Sequence, residues 1–234
     1  VTPSYFSSVL NNSRSNNKLE FLKCIILGGE KANKIEVEEF IRLHPAIKIL
    51  HHYGPTETTV GITSFTDFDN KVLLNSRESV PLGKVTINNF AYVLDPNLSP
   101  VPIGVAGELY IGGAGLARGY LNRSDLTAER FVPNPFAREA EKTKGYTRLY
   151  KTGDIVRWLA DGNLEYIGRN DDQVKIRGYR IELGEIESAL LQVEGIKQCC
   201  VLAKERKTET GSKYLVGYYV LDASDGSLTP TAIQ

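Results

Sequence analysis

Two apolar segments near the start of the chain, separated by an amphipathic stretch, restrict the fold more than any other feature. The segment LEFLKCIIL at 19–27 is rich in branched residues and ends at a Gly-Gly pair, which is typical of a buried parallel strand. An apolar stripe over 35–41 predicts a helix that Pro45 ends, and AIKIL at 46–50 predicts a second buried strand. The order strand, helix, strand predicts a βαβ unit.

The two predicted strands bring two polar turns to the same edge of the sheet. The first turn contains Gly28, Gly29 and Glu30, and the second is HHYGPTETTVG at 51–61. Ligands of open α/β sheets bind at the carboxyl ends of the strands, so this edge is the candidate site.

Beyond about residue 60 the pattern changes to short alternating strands. The Asp161-Gly162 pair predicts a hairpin over 155–168, and several such strands indicate an antiparallel barrel or sandwich layer. A third pattern follows, with a helix from about 183 that Gly195 ends and strands at 197–203 and 214–220. We therefore predict an α/β fold with an antiparallel β-barrel-like region, followed by a small α+β unit from about Asp171.

Charge and hydropathy limit the partners. The 28 Lys and Arg residues are balanced by 28 Asp and Glu residues, so no net field attracts nucleic acid or an anionic membrane. No apolar run approaches the ~20 residues that span a bilayer, and the N-terminus lacks the pattern of a secretion signal. We expect a cytoplasmic location, small-molecule or protein partners, no nucleic acid and no membrane.

The YGPTE segment has two interpretations. Gly-Pro is a common chain breaker and Glu is common on surfaces, so the segment can be an ordinary turn. Alternatively it can hold a nucleoside phosphate, with Tyr53 stacked on the base, Thr56 donating to a phosphate oxygen and Glu57 binding Mg²⁺. Adjacent residues of a strand point to opposite faces, so His51 and His52 do not predict a shared zinc site.

Three later segments are also ambiguous from the residues alone. The glycines of GELYIGGAGLARGYLNR at 107–123 favour a backbone-crowded turn over a dinucleotide loop. In YKTGDIVRW, Asp154 can accept hydrogen bonds from two ribose hydroxyls or be an exposed turn residue. The charges of GRNDDQVKIRGYRIELGEIE at 168–187 can belong to a solvated strand face.

Taken together, these motifs resemble a known family. HHYGPTETTVG, GELYIGGAGLARGY, YKTGDIVRW and GRNDDQVKIRGYRIELGEIE occur in the order and at the spacing seen in adenylation domains of nonribosomal peptide synthetases, which are acyl-adenylate-forming enzymes. The resemblance covers nearly the whole chain.

The resemblance implies a role for individual residues. Tyr53 would stack on adenine, and Gly29, Glu30 and His51 would line the adenine pocket. Asp154 would bind both ribose hydroxyls and Arg169 would reach the ribose. Thr56 would contact the α-phosphate and Glu57 would bind magnesium, which makes these two the catalytic candidates. Asp171 would be the hinge of a mobile small domain.

The implied reaction is amino-acid activation. ATP and an amino acid would give aminoacyl-AMP and pyrophosphate, with Mg²⁺ as cofactor. The aminoacyl group would then pass to the phosphopantetheine thiol of a peptidyl carrier protein domain, and neighbouring synthetase domains would be further partners. Positioning and charge neutralisation supply most of such catalysis.

The family also implies features that this sequence lacks. A phosphate loop and an aspartate for the substrate amino group are expected before YGPTE, and a catalytic lysine is expected near the C-terminus. We therefore expect a fragment, inactive alone, in which 1–170 is the C-terminal part of the large domain and 171–234 the first part of the small one.

The substrate is predicted from the positions that line the pocket in similar domains. Gly28 and Gly61 leave room, Ile26 and Val60 supply apolar walls, and His52 supplies one polar group. The pattern indicates aspartate, with asparagine as the nearest rival. Two other functions stay open at this point, a non-catalytic binding remnant and an acyl-CoA ligase.

Overall fold

The chain divides into two compact units, Val1–Asn170 and Asp171–Gln234. The structure, a computed structural model, describes residues 1–13, 19, 21–66, 68, 79–205 and 213–222. In these described ranges, the first unit contains two sheets and the second is built from hairpins and a helix. That these units are parts of a large and a small adenylation domain stays a proposal.

The first sheet carries the HHYGPTETTVG turn. Its strands have the order β1-β2-β3-β4. They are β1 Cys24–Gly28, β2 Lys48–Tyr53, β3 Thr63–Phe65 and β4 Lys84–Val85. The first two strands are parallel and the others antiparallel, which confirms the predicted βαβ unit.

Two helices, α1 (Pro3–Ser13) and α2 (Lys34–Leu43), cover one face of this sheet. Asn33 caps α2 by accepting a hydrogen bond from the backbone N–H of Ile35, which satisfies one of the unpaired donors at the helix start. The core between helices and sheet is apolar and buried. It includes Phe6, Leu10, Ile25, Leu27, Val37, Phe40, Ile49 and Phe65.

The predicted strand at 19–27 is too long at its start. Strand β1 begins at Cys24, where its register with Lys48 of β2 begins. Strand β2 in turn continues past the predicted end at Leu50 to Tyr53, since β3 supplies partners for its last three residues. Strand ends are therefore set by the neighbouring strand rather than by the apolar run.

The second sheet is antiparallel throughout and has the order β5-β6-β8-β7, with β9 also paired to β8. Its strands are β5 Asn89–Leu94, β6 Gly107–Gly113, β7 Phe131–Pro133, β8 Arg148–Trp158 and β9 Leu164–Arg169. Two short helices lie between strands, α3 (Ser124–Arg130) and α4 (Glu139–Thr143). The predicted hairpin around Asp161-Gly162 is formed by β8 and β9.

The two sheets of the first unit share a core. Tyr53 begins the YGPTE turn and Ile62 follows it. Both pack with apolar residues of the antiparallel sheet, namely Leu109, Val156 and Leu164. The turn is thus anchored on both sides. The predicted fold class, α/β with an antiparallel region, is confirmed.

The described part of the second unit contains two hairpins and one helix. They are β10 (Gln173–Ile176) with β11 (Tyr179–Glu182), helix α5 (Leu183–Leu190), and β12 (Ile196–Glu205) with β13 (Lys213–Leu221). Glu187 of α5 accepts a hydrogen bond from the backbone N–H of Val201, which ties the helix to β12. Across the described residues, no helix combines the length and apolar character needed to cross a bilayer.

Candidate functional site

A buried carboxylate at Asp154 joins the end of β2 to strands β8 and β9. The Tyr53 hydroxyl donates to Asp154 Oδ2 at 2.5 Å, and Arg169 Nη1 donates to Oδ1 at 2.7 Å. Arg169 Nη2 also donates to the Thr152 carbonyl oxygen at 3.1 Å. Tyr53 is 101 residues from Asp154 in sequence, so only the fold brings them together.

The electrostatics of this cluster keep the tyrosine in one protonation state. Burial, followed by the nearby charge of Asp154, raises the pKa of Tyr53 well above its ordinary value, so its hydroxyl stays a donor. A carboxylate has about four lone-pair sites, and Tyr53 and Arg169 use one on each oxygen of Asp154. Further hydroxyl donors can therefore bond to the same carboxylate. The Tyr53 ring is packed in the core and only 8% of the residue is exposed.

A second buried carboxylate, Glu57, lies in the turn that follows β2. Thr56–Thr58 form a 3-10 helix in which Thr56 is exposed and Glu57 is 7% exposed. Tyr120 Oη donates to Glu57 Oε1 at 2.6 Å, and the N–H of Ala117 donates to the Glu57 carbonyl oxygen. We call residues 54–61 the carboxylate turn.

The end of the carboxylate turn is strained. Thr59 and Val60 have φ angles of 58° and 70°, in the left-handed region that β-branched residues rarely adopt. The Thr59 hydroxyl donates to the Gly115 carbonyl oxygen at 2.7 Å, so the glycine-rich segment holds this conformation. Val60 is 70% exposed at the turn's outer side.

Gly54 is required by a close approach of two backbone segments, and this gives a testable prediction. A Cβ atom at Gly54 would lie 2.4 Å from the Val60 carbonyl oxygen. We expect Gly54→Ala to lower the free energy of unfolding by about 1–3 kcal/mol, because the backbone must shift. Gly168→Ala is the control, since a Cβ there meets nothing within 4 Å. Equal unfolding midpoints for the two variants in urea would contradict the close approach.

The predicted substrate-side residues share the sheet face opposite the helices. Gly28 pairs with His52, and Ile26, two residues earlier on β1, is 52% exposed on the same face. The His52 ring lies directly over Gly61, because a Cβ at Gly61 would be 1.9 Å from His52 Cε1. The structure thus brings Ile26, Gly28, His52 and Gly61 to one side of the sheet.

The predicted adenine-pocket residues are more scattered. His51 points to the helix-covered face, is 2% exposed, and has Nδ1 2.8 Å from the Pro81 carbonyl oxygen. Burial lowers the pKa of His51, so its ring is neutral. Gly29 is exposed with φ of 88°, and Glu30 Oε2 accepts a hydrogen bond from the N–H of Ser4. The structure does not bring His51 to the face that carries His52.

The predicted hinge residue, Asp171, is the first residue of the second unit. Its Oδ1 accepts a hydrogen bond from the N–H of Gln173 at 3.3 Å, and the N–H of Asn170 before it donates to the Gly153 carbonyl oxygen. The chain is therefore hydrogen-bonded on each side of the predicted hinge.

Two residues of the site had no role in the sequence prediction. Tyr120 contacts Glu57 across 63 residues, and Thr152 accepts from Arg169 and from the N–H of Asp154. Tyr120 ends the segment GELYIGGAGLARGY and Thr152 lies in YKTGDIVRW. A tyrosine that follows a glycine and a threonine that precedes one are, however, equally typical of ordinary turns. No spacing signal distinguishes them.

Among the residues that the structure describes, the titratable groups do not form a metal centre of their own. In the described part of the chain, no group of three or more His, Cys, Asp or Glu side chains is placed to hold a metal ion. Mg²⁺ usually binds to one or two carboxylates together with substrate phosphates, and the single Glu57 carboxylate fits that mode.

Comparison with known proteins gives a consistent result. The family model described as AMP-binding enzyme matches residues 1–121. Tyrocidine synthase 3 of Brevibacillus parabrevis is 47% identical over 218 residues, or 93% of this chain and 3% of that protein. Gramicidin S synthase 2 of Aneurinibacillus migulanus is 42% identical over 223 residues, or 95% of this chain and 5% of that protein.

Solved structures show the same similarity. The chain superposes on PA1221, an NRPS protein containing adenylation and PCP domains, with a TM-score of 0.81 and 30% identity, covering 100% of this chain and 44% of that one. An artificially fused adenylation-PCP di-domain NRPS from Klebsiella oxytoca gives a TM-score of 0.77 at 25% identity, covering 100% and 40%. The chain spans less than half of each of these proteins.

Proposed function

Because this chain belongs to the AMP-binding enzyme family, whose model matches more than half of its length, we propose that it is part of an adenylation domain that activates an amino acid with ATP. The amino-acid carboxylate would attack the α-phosphorus of ATP, forming aminoacyl-AMP and releasing pyrophosphate. The phosphopantetheine thiol of a carrier protein domain would then take the aminoacyl group and release AMP.

The buried Asp154 carboxylate is the observation that carries this proposal. It is held from two sides by Tyr53 and Arg169, and its remaining lone pairs suit two vicinal hydroxyl groups of a ribose. Holding the ribose fixes where the triphosphate extends, and positioning of this kind supplies much of the catalysis in such reactions.

The carboxylate turn would supply the groups that bind the phosphates and the metal. Thr56 is exposed and would donate its hydroxyl to the α-phosphate, while Glu57 would hold Mg²⁺ through its carboxylate. Bound Mg²⁺ neutralises the phosphate charge that develops during the displacement. Tyr53, of which 8% is exposed, would contact the adenine, and Gly29 and Glu30 would border the base.

Amino-acid-dependent exchange of labelled pyrophosphate into ATP tests the proposal. The complete polypeptide to which residues 1–234 belong is assayed with aspartate, asparagine, leucine and a fatty acid. We expect exchange with an amino acid and none with the fatty acid. Exchange with the fatty acid alone would instead indicate an acyl-CoA ligase. No exchange after the panel is extended to all common amino acids would indicate a binding remnant.

We further propose that aspartate is the substrate and that His52 recognises its side chain. The imidazole is half-buried on the face shared with Ile26 and Gly28, and the absence of a side chain at Gly61 gives the ring its place. A charge-assisted hydrogen bond from an imidazole to a carboxylate is worth about 1.5–3 kcal/mol. Val60 would form part of the rim of the pocket that holds the substrate side chain.

His52→Ala should therefore lower the preference for aspartate over leucine by about 10- to 100-fold. The control is Lys48→Ala, an exposed residue on the same strand and face, which should leave the preference unchanged. The ratio of kcat/KM values for aspartate and leucine is measured in exchange assays. A parent enzyme that prefers leucine, or an unchanged ratio in His52→Ala, would show that the ring only packs against Gly61.

A further inference from the structure

Tyr120 lies at the end of the glycine-rich segment and contacts the carboxylate turn through its hydroxyl. The 2.6 Å hydrogen bond to Glu57 Oε1 is made to a carboxylate that is 7% exposed. We propose that Tyr120 is a positioning residue that sets the orientation of the Glu57 carboxylate for its divalent cation. This inference rests on the proposed function, in which Glu57 holds Mg²⁺.

The tyrosine is fixed by contacts that do not involve Glu57. Its backbone N–H donates to Thr127 Oγ1 of α3 at 2.9 Å, and its ring packs edge-on against Phe131 with the centroids 5.6 Å apart. The Phe131 ring in turn contacts Tyr150 of β8. The position of the Tyr120 ring is therefore held by α3 and the antiparallel sheet independently of the bond to Glu57.

The backbone next to Tyr120 holds the main chain of Glu57 as well. Arg148 donates to the carbonyl oxygens of Ala117 and Arg118 at 3.2 and 2.9 Å, which fixes the segment on β8. The N–H of Ala117 then donates to the Glu57 carbonyl oxygen at 2.8 Å. Side chain and backbone of Glu57 are thus both held by residues 117–120.

Such fixation matters for a magnesium ligand. Mg²⁺ requires near-ideal octahedral geometry, so a single protein carboxylate must present its oxygen in one direction. Groups that hydrogen-bond to a ligating carboxylate set that direction, and their removal commonly costs about 10- to 100-fold in metal affinity or activity. The effect of losing the Tyr120 hydroxyl should therefore fall on the metal complex of ATP and not on a nucleotide that needs no metal.

Tyr120→Phe tests this, because the phenyl ring keeps the Phe131 contact and only the hydroxyl is lost. Tyr146→Phe is the matched control, since Tyr146 also packs edge-on against a phenylalanine, Phe90, but lies outside the carboxylate turn. Calorimetry on the complete polypeptide measures binding of ATP with Mg²⁺ and of AMP with EDTA, and a thermal scan measures the unfolding midpoint. We expect Tyr120→Phe to weaken Mg²⁺-ATP binding by about 10-fold or more with AMP binding and midpoint unchanged.

A double-mutant cycle gives the same test a second readout. In a Glu57→Gln background the additional effect of Tyr120→Phe on Mg²⁺-ATP binding should disappear, because the two side chains act as one unit. If Tyr120→Phe fails to fold, Thr127→Val provides the test, since it releases the Tyr120 backbone and leaves the hydroxyl in the chain. A selective loss of Mg²⁺-ATP binding is again expected, smaller than for Tyr120→Phe.

Three different results would overturn the inference. Suppose that the parent binds ATP more tightly with Mg²⁺ than without it. If Tyr120→Phe then binds Mg²⁺-ATP as tightly as the parent, or loses affinity for AMP and for Mg²⁺-ATP equally, the tyrosine has no positioning role, while the proposed function stands. If the parent itself shows no Mg²⁺-dependent ATP binding, the proposed function fails and the inference fails with it.

Discussion

Replacing Asp154 with alanine should lower the free energy of unfolding of the first unit by about 3–5 kcal/mol. The reason is that Arg169, whose side chain is 11% exposed, would keep its charge but lose the carboxylate that compensates it. Tyr53 would lose the acceptor of its buried hydroxyl at the same time. Breaking one side of a buried ion pair costs far more than the pair contributes by itself.

The chain offers a matched control in Asp125. This carboxylate pairs with Arg123 at 3.0 Å, but the two side chains are 68% and 58% exposed. Solvent screens such a pair, so Asp125→Ala should leave the unfolding midpoint nearly unchanged. Trp158, the only tryptophan of the sequence, lies on β8 with Asp154 and reports unfolding in urea. Equal midpoints for the two alanine variants would contradict a buried Asp154–Arg169 pair.

A double variant tests whether the loss of stability in Asp154→Ala comes from the uncompensated charge of Arg169. Asp154→Leu combined with Arg169→Met removes both charges and keeps apolar volume, and such replacements are often neutral or stabilising. We expect the double variant to recover part of the stability that Asp154→Ala loses, because the charge of Arg169 is gone but the buried Tyr53 hydroxyl still lacks its acceptor. It should not recover nucleotide binding, because no carboxylate is left for the ribose hydroxyls.

The largest loss of activity is expected for Glu57→Gln. Losing one electrostatic stabiliser of the charge that develops in a reaction typically costs ~10²–10³ in rate. Glu57 would act through Mg²⁺, and glutamine cannot supply the negative charge that Mg²⁺ needs. The glutamine oxygen can still accept the Tyr120 hydroxyl, so the unfolding midpoint should change little. The measurement is kcat in amino-acid-dependent pyrophosphate exchange, together with a thermal scan.

Glu38→Gln is the control for charge removal alone. Glu38 lies on the exposed side of α2, with its Oε1 3.9 Å from Lys34 Nζ, and is not part of the carboxylate turn. Its replacement should leave exchange unchanged. Full exchange activity in Glu57→Gln would exclude Glu57 as the metal ligand, and a rate loss accompanied by a collapse of the unfolding midpoint would indicate a structural role instead.

The βαβ unit shows how much of the fold is predictable from sequence and where prediction stops. Helix α2 and the hairpin of β8 and β9 are predicted, because their signals are local: an apolar stripe of helical period and an Asp-Gly turn between alternating strands. Helix α1 is not predicted, since its Ser- and Asn-rich sequence has weak helix propensity. It forms because Phe6 and Leu10, one turn apart, are buried against the first sheet.

By itself the sequence determined the family, the two fold regions and the candidates Tyr53, Glu57, Asp154 and Arg169, because motif residues and local periodicity are written in short segments. Only the tertiary structure decided which of them touch. Tyr53 meets Asp154 across 101 residues and Tyr120 meets Glu57 across 63. These outcomes depend on sheet pairing and on the packing of two sheets over one core, and contacts between distant segments have no period or spacing by which a sequence could reveal them.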